Sequence, residues 1–242
     1  MLDNPETLGL LIAKLDRLAH LDLEDKAQLG SLPLRIETAP RYRKLVRERD
    51  TPDNCCLLVR GYAARYKLAA NGARQIVSFH IPGDLLDIQH LLLGRADHTI
   101  EMITAGKVGW IPKGALQRLA QERPAIGQAL WKDCLIDASI FREWVLNVGR
   151  RDGRSRIAHM LCEFAVRCEA AGMGSRDRFE LPMTQSIIGD AVGLTAVHVN
   201  RILKLLGQEG ALNRTRNEFV IEDWERLCSV ADFDPTYLHQ AA

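Results

Sequence analysis

Leu181-Pro182-Met183-Thr184-Gln185-Ser186-Ile187-Ile188-Gly189-Asp190-Ala191-Val192-Gly193-Leu194-Thr195-Ala196-Val197-His198-Val199-Asn200-Arg201-Ile202-Leu203-Lys204-Leu205-Leu206 holds two helix starts in close succession. Thr184 and Thr195 can each cap a helix, because a threonine hydroxyl accepts one of the N–H bonds that a helix start leaves orphaned. Gly193, between the two segments, can take the positive φ of a tight turn. Gly189 is small where two helices would cross closely. Ile188, Val192, Leu194, Val199, Ile202 and Leu203 supply apolar contacts that lock the pair. The pattern predicts a helix-turn-helix rather than an ordinary corner between helices.

The second helix then presents Ala196, Val197, His198, Asn200, Arg201 and Lys204 outward, with Thr195 at its start and Thr184 and Gln185 opening the first helix. In such a motif the N-terminal part of the second helix meets base edges in the major groove. Arg201 can donate a fork of bonds to a guanine, and Asn200 can address an adenine or a phosphate. Downstream, Ala211–Arg214 and Glu218–Ile221 alternate like a hairpin around Thr215-Arg216-Asn217. That is a wing, with Arg214 and Arg216 placed for a phosphate backbone.

Upstream, no glycine or proline interrupts the chain between Gly127 and Gly149, and Pro124 suits the first turn of a helix. The apolar residues of this stretch go most of the way round, so the helix needs two neighbours. One can be the preceding domain. The other is the same helix from a second subunit, with Leu130, Cys134, Phe141, Trp144 and Val148 as interface candidates, or else further packing inside one chain. A basic hinge, Arg150-Arg151-Asp152-Gly153-Arg154-Ser155-Arg156, and an amphipathic helix follow. Before Pro124 the texture is strand-like. Cys55–Val59, Tyr62–Leu68, Gln75–Ile81 and Thr99–Ile103 are rich in Val, Ile, Tyr and Phe, and Asn71-Gly72 and Pro82-Gly83 punctuate them. This spacing predicts an antiparallel roll or sandwich. Leu11, Leu15 and Leu18 place a helix ahead of it, and Asp22 can cap a second that ends near Gly30.

The chain has 242 residues, 32 Lys+Arg against 31 Asp+Glu, and 47% hydrophobic residues, which is a globular composition without bulk attraction to nucleic acid. Any nucleic-acid face must come from local asymmetry. The early apolar run Leu8–Ala13 is far shorter than the roughly 20 residues of a spanning helix, and the first residues are acidic where a signal peptide would be basic. A membrane location is not expected. Six cysteines, Cys55 and Cys56 adjacent and the other four scattered, without a C-x-x-C, read as thiols in a reducing cytoplasm, and redox reactivity at Cys55 or Cys56 stays open. No nucleophile–base pair, metal-spaced cluster or phosphate loop is visible, so no catalytic or metal-ligating residue is assigned and the chain is not read as an enzyme.

Ser78-Phe79-His80-Ile81-Pro82-Gly83-Asp84, Arg142-Glu143-Trp144 and Leu181–Leu206 together resemble the CRP/FNR superfamily of bacterial transcription regulators. The resemblance runs from about Leu34 to about Asp234. It implies an α+β fold: an N-terminal antiparallel, cyclic-nucleotide-binding-like sensor β-roll over 1–123, a long dimerisation helix and hinge over 124–151, and a C-terminal winged helix-turn-helix over 152–242. It also implies a cytoplasmic homodimer that binds two-fold symmetric, double-stranded promoter DNA and contacts RNA polymerase. The effector pocket carried over onto this sequence comprises Gly83, Asp84, Arg95, Asp97 and His98.

Three departures from the family matter. Members that bind cyclic AMP carry an Arg-Ser pair for the phosphate where Asp97-His98 aligns here, and a carboxylate has the wrong sign for that role. Cyclic AMP is therefore not expected to bind in the usual way, unless Arg95 folds back. Iron–sulfur members need a cluster of N-terminal cysteines, and none precedes Cys55; haem ligation by His80 or His90 is equally not expected. The small-molecule effector is left unknown. Finally, the common family half-site is read by a Glu four residues before the Arg, and here that position is Val197.

Overall fold

The computed structural model describes residues 4–215 and 218–240. Two N-terminal helices, α1 (Asn4–Leu18) and α2 (Leu23–Gly30), come first. Asp22 caps α2 in a reciprocal capping box with Asp25, so both orphan donors at that start are satisfied. Seven strands follow: β1 (Arg35–Ala39), β2 (Lys44–Val46), β3 (Asn54–Arg60), β4 (Ala63–Leu68), β5 (Arg74–His80), β6 (Thr99–Met102) and β7 (Gly106–Pro112). They form two antiparallel sheets, ordered β1-β7-β3 and β2-β6-β4-β5. Asn71-Gly72 makes the tight turn between β4 and β5, with Gly72 at φ +81°.

β3 explains how the roll is built. Its residues Cys55 to Val59 are all buried, yet their side chains alternate between two cores. Cys55, Leu57 and Val59 face Leu8, Leu11 and Leu15 of α1 and Ile126 and Leu130 further on. Cys56 and Leu58 face Ile100, Met102 and Val108 between the sheets. Two adjacent cysteines thus lie in different cores. Burial pushes the Cys55 thiol up to about 12, and that of Cys56 well above its usual range, with Asp87 adding to both. Redox reactivity at this pair is not supported.

Helix α3 (Lys113–Glu122) leads into α4 (Pro124–Arg150), 27 residues long. The C-terminal region holds α5 (Gly153–Ala170), β8 (Gly174–Ser175), β9 (Arg178–Glu180), α6 (Gln185–Val192), α7 (Ala196–Gln208), β10 (Leu212–Arg214), β11 (Glu218–Ile221) and α8 (Trp224–Ala231), with a sheet ordered β10-β11-β9-β8. The chain groups into two compact units, Met1–Lys67 with Ser78–Ala138, and Leu68–Val77 with Ser139–Ala242. Among the described residues no helix is long and apolar enough to cross a membrane.

The faces of α4 differ from the interface expected at Leu130, Cys134, Phe141, Trp144 and Val148. Leu130 lies in the core beside α1, and Cys134 packs against the same core. Trp144 is buried because its indole Nε1 donates to Glu163 Oε2 at 2.9 Å. Glu163 is itself buried, and it also accepts from the Tyr237 hydroxyl at 2.9 Å and pairs with Arg167 at 3.1 Å. Val148 is half-buried, near Gly193 of its own chain. Phe141 alone of the five is exposed. With Phe141, the outward apolar residues of α4 are Trp131, Leu135, Val145 and Leu146.

Candidate nucleic-acid interface

The helix-turn-helix is assembled by its caps and its glycines. Thr184 Oγ1 accepts from the Ile187 N–H and Thr195 Oγ1 from the His198 N–H, both at 3.3 Å. Gly193 ends α6 in the left-handed region, at φ 69° and ψ 38°. Gly189 has a different partner from the one its position implied. A Cβ there would sit 2.3 Å from the Leu194 carbonyl oxygen, so it is the turn backbone, not a crossing helix, that demands glycine. Ile187, Ile188, Ala191 and Val192 of α6 and Val199, Ile202, Leu203 and Leu206 of α7 are buried, which fixes the opposite side of α7 outward.

That outward side carries the residues named from the sequence. Val197 is 81% exposed at the first turn of α7, and Arg201 and Lys204 are exposed along the same side. Ala196, His198 and Asn200 are half-buried. An Arg201 Nη2 lies 3.3 Å from His198 Nε2, a spacing of one helical turn that steadies the guanidinium. Asn200, Lys204 and Arg214 line one open cleft of about 480 Å³ between α7 and β10. Arg214 is half-buried, with its guanidinium over the Phe219 ring at 5.2 Å, and burial lowers its pKa. Thr184 and Thr195 are exposed at two helix N-termini, where backbone N–H groups and the helix dipole favour a phosphate. Gln185 beside Thr184 is half-buried. Arg216 lies outside the described residues.

Three of the hinge arginines are occupied elsewhere. Arg151 pairs with Glu143 at 2.7 Å and donates to the Asp232 carbonyl at 2.9 Å. Arg154 pairs with Glu209, and Arg156 donates to the Arg151 and Val192 carbonyls at 2.8 and 3.1 Å. Sequence reasoning missed Arg74 and Gln75. Arg74 pairs with Asp190 of α6 at 2.7 Å, and Gln75 Nε2 donates to the Ala191 carbonyl at 2.8 Å. No local pattern signals these bonds, because 116 residues separate the partners.

The five residues expected to form an effector pocket are placed in two separate sets of bonds. Gly83 turns the chain at φ +96°, and Asp84 is buried. Its carboxylate accepts from Lys14 Nζ at 2.8 Å and from the Ile81 N–H at 3.0 Å, and Lys14 also pairs with Asp133 at 2.7 Å. Burial alone would lower the Lys14 pKa, but Asp133 and Asp84 outweigh it and hold the ammonium charged. Asp84 is thus engaged with α1. Asp97 is exposed and lies 2.5 Å from His98 Nδ1, while His98 Nε2 is 3.2 Å from Gln89 Nε2. Burial, aided by Arg65, pushes His98 down to about 4, so it is neutral near pH 7 and donates to the carboxylate. Arg95 is exposed. A half-buried cation here is Arg65, which the sequence reading did not single out, and it is bonded to Asp137 at 2.6 Å and the Leu86 carbonyl at 2.9 Å. Among the described residues no three His, Cys, Asp or Glu come together to hold a metal ion.

Two family models match the chain: a cyclic nucleotide-binding domain over residues 37–123 and a Crp-like helix-turn-helix domain over residues 155–230. The nitrogen fixation regulation protein FixK of Bradyrhizobium diazoefficiens is 31% identical over 165 residues, which is 68% of each chain. The transcriptional activator protein FnrA of Stutzerimonas stutzeri is 25% identical over 211 residues, covering 87% of this chain and 86% of its own. The solved structure of FixK2 from Bradyrhizobium japonicum superposes with a TM-score of 0.74 at 25% identity, covering 82% of this chain and 98% of that one. With its antiparallel roll, long helix and DNA-binding helix-turn-helix, the chain belongs to the CRP/FNR family of transcription regulators.

Proposed function

We propose that the protein works as a cytoplasmic homodimer that reads a two-fold symmetric promoter site and contacts RNA polymerase. The observation that carries the reading is the outward side of α7, where Val197, Asn200, Arg201 and Lys204 stand opposite a fully buried side. In this reading Arg201 takes a guanine edge, and Asn200 an adenine or a phosphate. Val197 offers a methyl-sized apolar contact, such as a thymine methyl, where the family's usual acid would accept from cytosine. Thr184, Gln185, Thr195, Lys204, Arg214 and Arg216 hold the backbone, and Ala196 and His198 fit the groove wall.

Dimerisation is supported by the spacing of the outward face of α4. Trp131, Leu135, Ala138 and Val145 fall at steps of four, three and seven residues, the apolar spacing of a two-stranded coiled-coil seam, with Arg142 and Gly149 at the remaining positions. The relatives named as activators support polymerase contact. For the roll, the engagement of Asp84 by Lys14 and of Asp97 by His98 supports a sensor, or a structural module, that does not take cyclic AMP in the usual way. No catalytic role is assigned. A mobility-shift titration on a selected operator tests the reading: two protomers per palindromic site are expected, and saturation at one protomer, or no shift at all, overturns it.

A further inference from the structure

In the C-terminal unit, Cys162 of α5 and Cys228 of α8 bring their sulfurs to 4.0 Å. Cys162 is fully buried in the α5 core, while Cys228 is half-buried. A disulfide needs a separation of about 2.05 Å, so the sulfurs must close by roughly 2 Å. The two thiols are also differentiated. Cys162 is directed at Cys228 and, with Arg176 nearby, holds the Cys228 thiol below its usual range, whereas burial pushes the Cys162 thiol up. Arg176 is anchored in place: its guanidinium pairs with Glu169 at 2.9 Å and lies 5.3 Å over the Trp224 ring, one helical turn before Cys228. Cys55, Cys56 and Cys168 are buried, and burial pushes Cys134 up to about 11.

We infer that Cys162 and Cys228 form a peroxide-oxidisable dithiol that ties α5 to α8 through a reversible disulfide. The half-buried Cys228 loses its proton and its thiolate attacks one oxygen of hydrogen peroxide. The O–O bond breaks, Cys228 becomes a sulfenic acid, and the departing hydroxide takes up the proton as water. The Cys162 sulfur then attacks the sulfenic sulfur, the S–O bond breaks, and the Cys162 proton leaves with the hydroxyl as a second water. Two thiols and one peroxide give one disulfide and two waters, with two electrons passing from sulfur to oxygen. A thiol reductant reverses the bond.

The test treats the full-length protein with one equivalent of hydrogen peroxide, blocks the remaining thiols, and maps peptides by mass spectrometry without reduction. The expected product is a Cys162–Cys228 cross-linked peptide, two hydrogens lighter than its parts and released by dithiothreitol, with the other four cysteines carrying the blocking group. Cys162→Ser should strand Cys228 as a sulfenic acid that dimedone traps, and Cys228→Ser should leave Cys162 unoxidised. The wild-type map stands by itself if the buried Cys162→Ser variant fails to fold. A map with all six cysteines blocked, or with a bond between any other pair, overturns the inference.

Discussion

Leu135→Glu combined with Val145→Glu should convert the protein to monomers without unfolding it. The two side chains are 60% and 58% exposed on α4, so neither supports the protomer's own core. Full burial of such a side chain contributes about 1.5–3 kcal/mol, and burying the exposed three-fifths contributes roughly 0.9–1.8 kcal/mol. A two-fold interface holds four such side chains, hence roughly 4–7 kcal/mol, or about three to five powers of ten in the dimer constant. Placing carboxylates across the axis adds repulsion in the same direction. Sedimentation velocity at micromolar concentration should show a wild-type dimer and a monomeric variant, with unchanged circular dichroism. A variant that stays dimeric, or a wild type that is monomeric, refutes the assignment of this face.

Gly189→Ala should lower the thermal midpoint through a clash costing about 1–3 kcal/mol, whereas Gly207→Ala, with its nearest neighbour 3.5 Å away, should be neutral or raise it; equal midpoints contradict the packing of the turn. His98 accepts a proton only near pH 4 when folded but near pH 6.5 when unfolded, so its contribution is lost as pH falls from about 6.5 towards 4. His98→Gln should flatten the midpoint-versus-pH curve across that window, and parallel curves count against it. Arg74→Ala and Asp190→Ala, whose side chains are 27% and 32% exposed, should show a coupling of about 0.5–1 kcal/mol in a double-mutant cycle of chemical unfolding; zero coupling would mean the pair does not form in solution. Calorimetry with cyclic AMP should give no binding heat at micromolar ligand, and a micromolar constant would restore the pocket around Arg95.

The DNA-reading half of the fold was legible because its signals are local. Caps at Thr184 and Thr195, a left-handed Gly193 and an apolar period on α7 each act within a few residues. The long helix was legible for the same reason, from Pro124 to its last turn. Its outward face was not, because it is apolar nearly all round, and Glu163, on another helix, bonds Trp144 inward while Val145 faces out. Strand β7 was missed because Gly109 breaks its pattern; Leu34 fills the space where a Cβ would stand, with its Cδ1 2.6 Å from that position. The bonds of the effector residues were not legible because their partners are distant: Lys14 reaches Asp84 across 70 residues. Long-range pairing of charges leaves no periodic trace.

Operator selection from a random DNA pool, run in parallel for the wild type and Arg201→Ala, tests the placement of the reading helix most directly. The wild type should return a palindrome with one strongly preferred base pair per half-site facing Arg201, a preference of about 1–3 kcal/mol. Arg201→Ala should lose that single preference, keep the half-site spacing, and bind random DNA almost as well as the wild type does. Lys204→Ala, by contrast, should weaken all sequences alike and flatten the salt dependence by about one unit. An unchanged motif with unchanged affinity in Arg201→Ala would show that α7 does not read the bases.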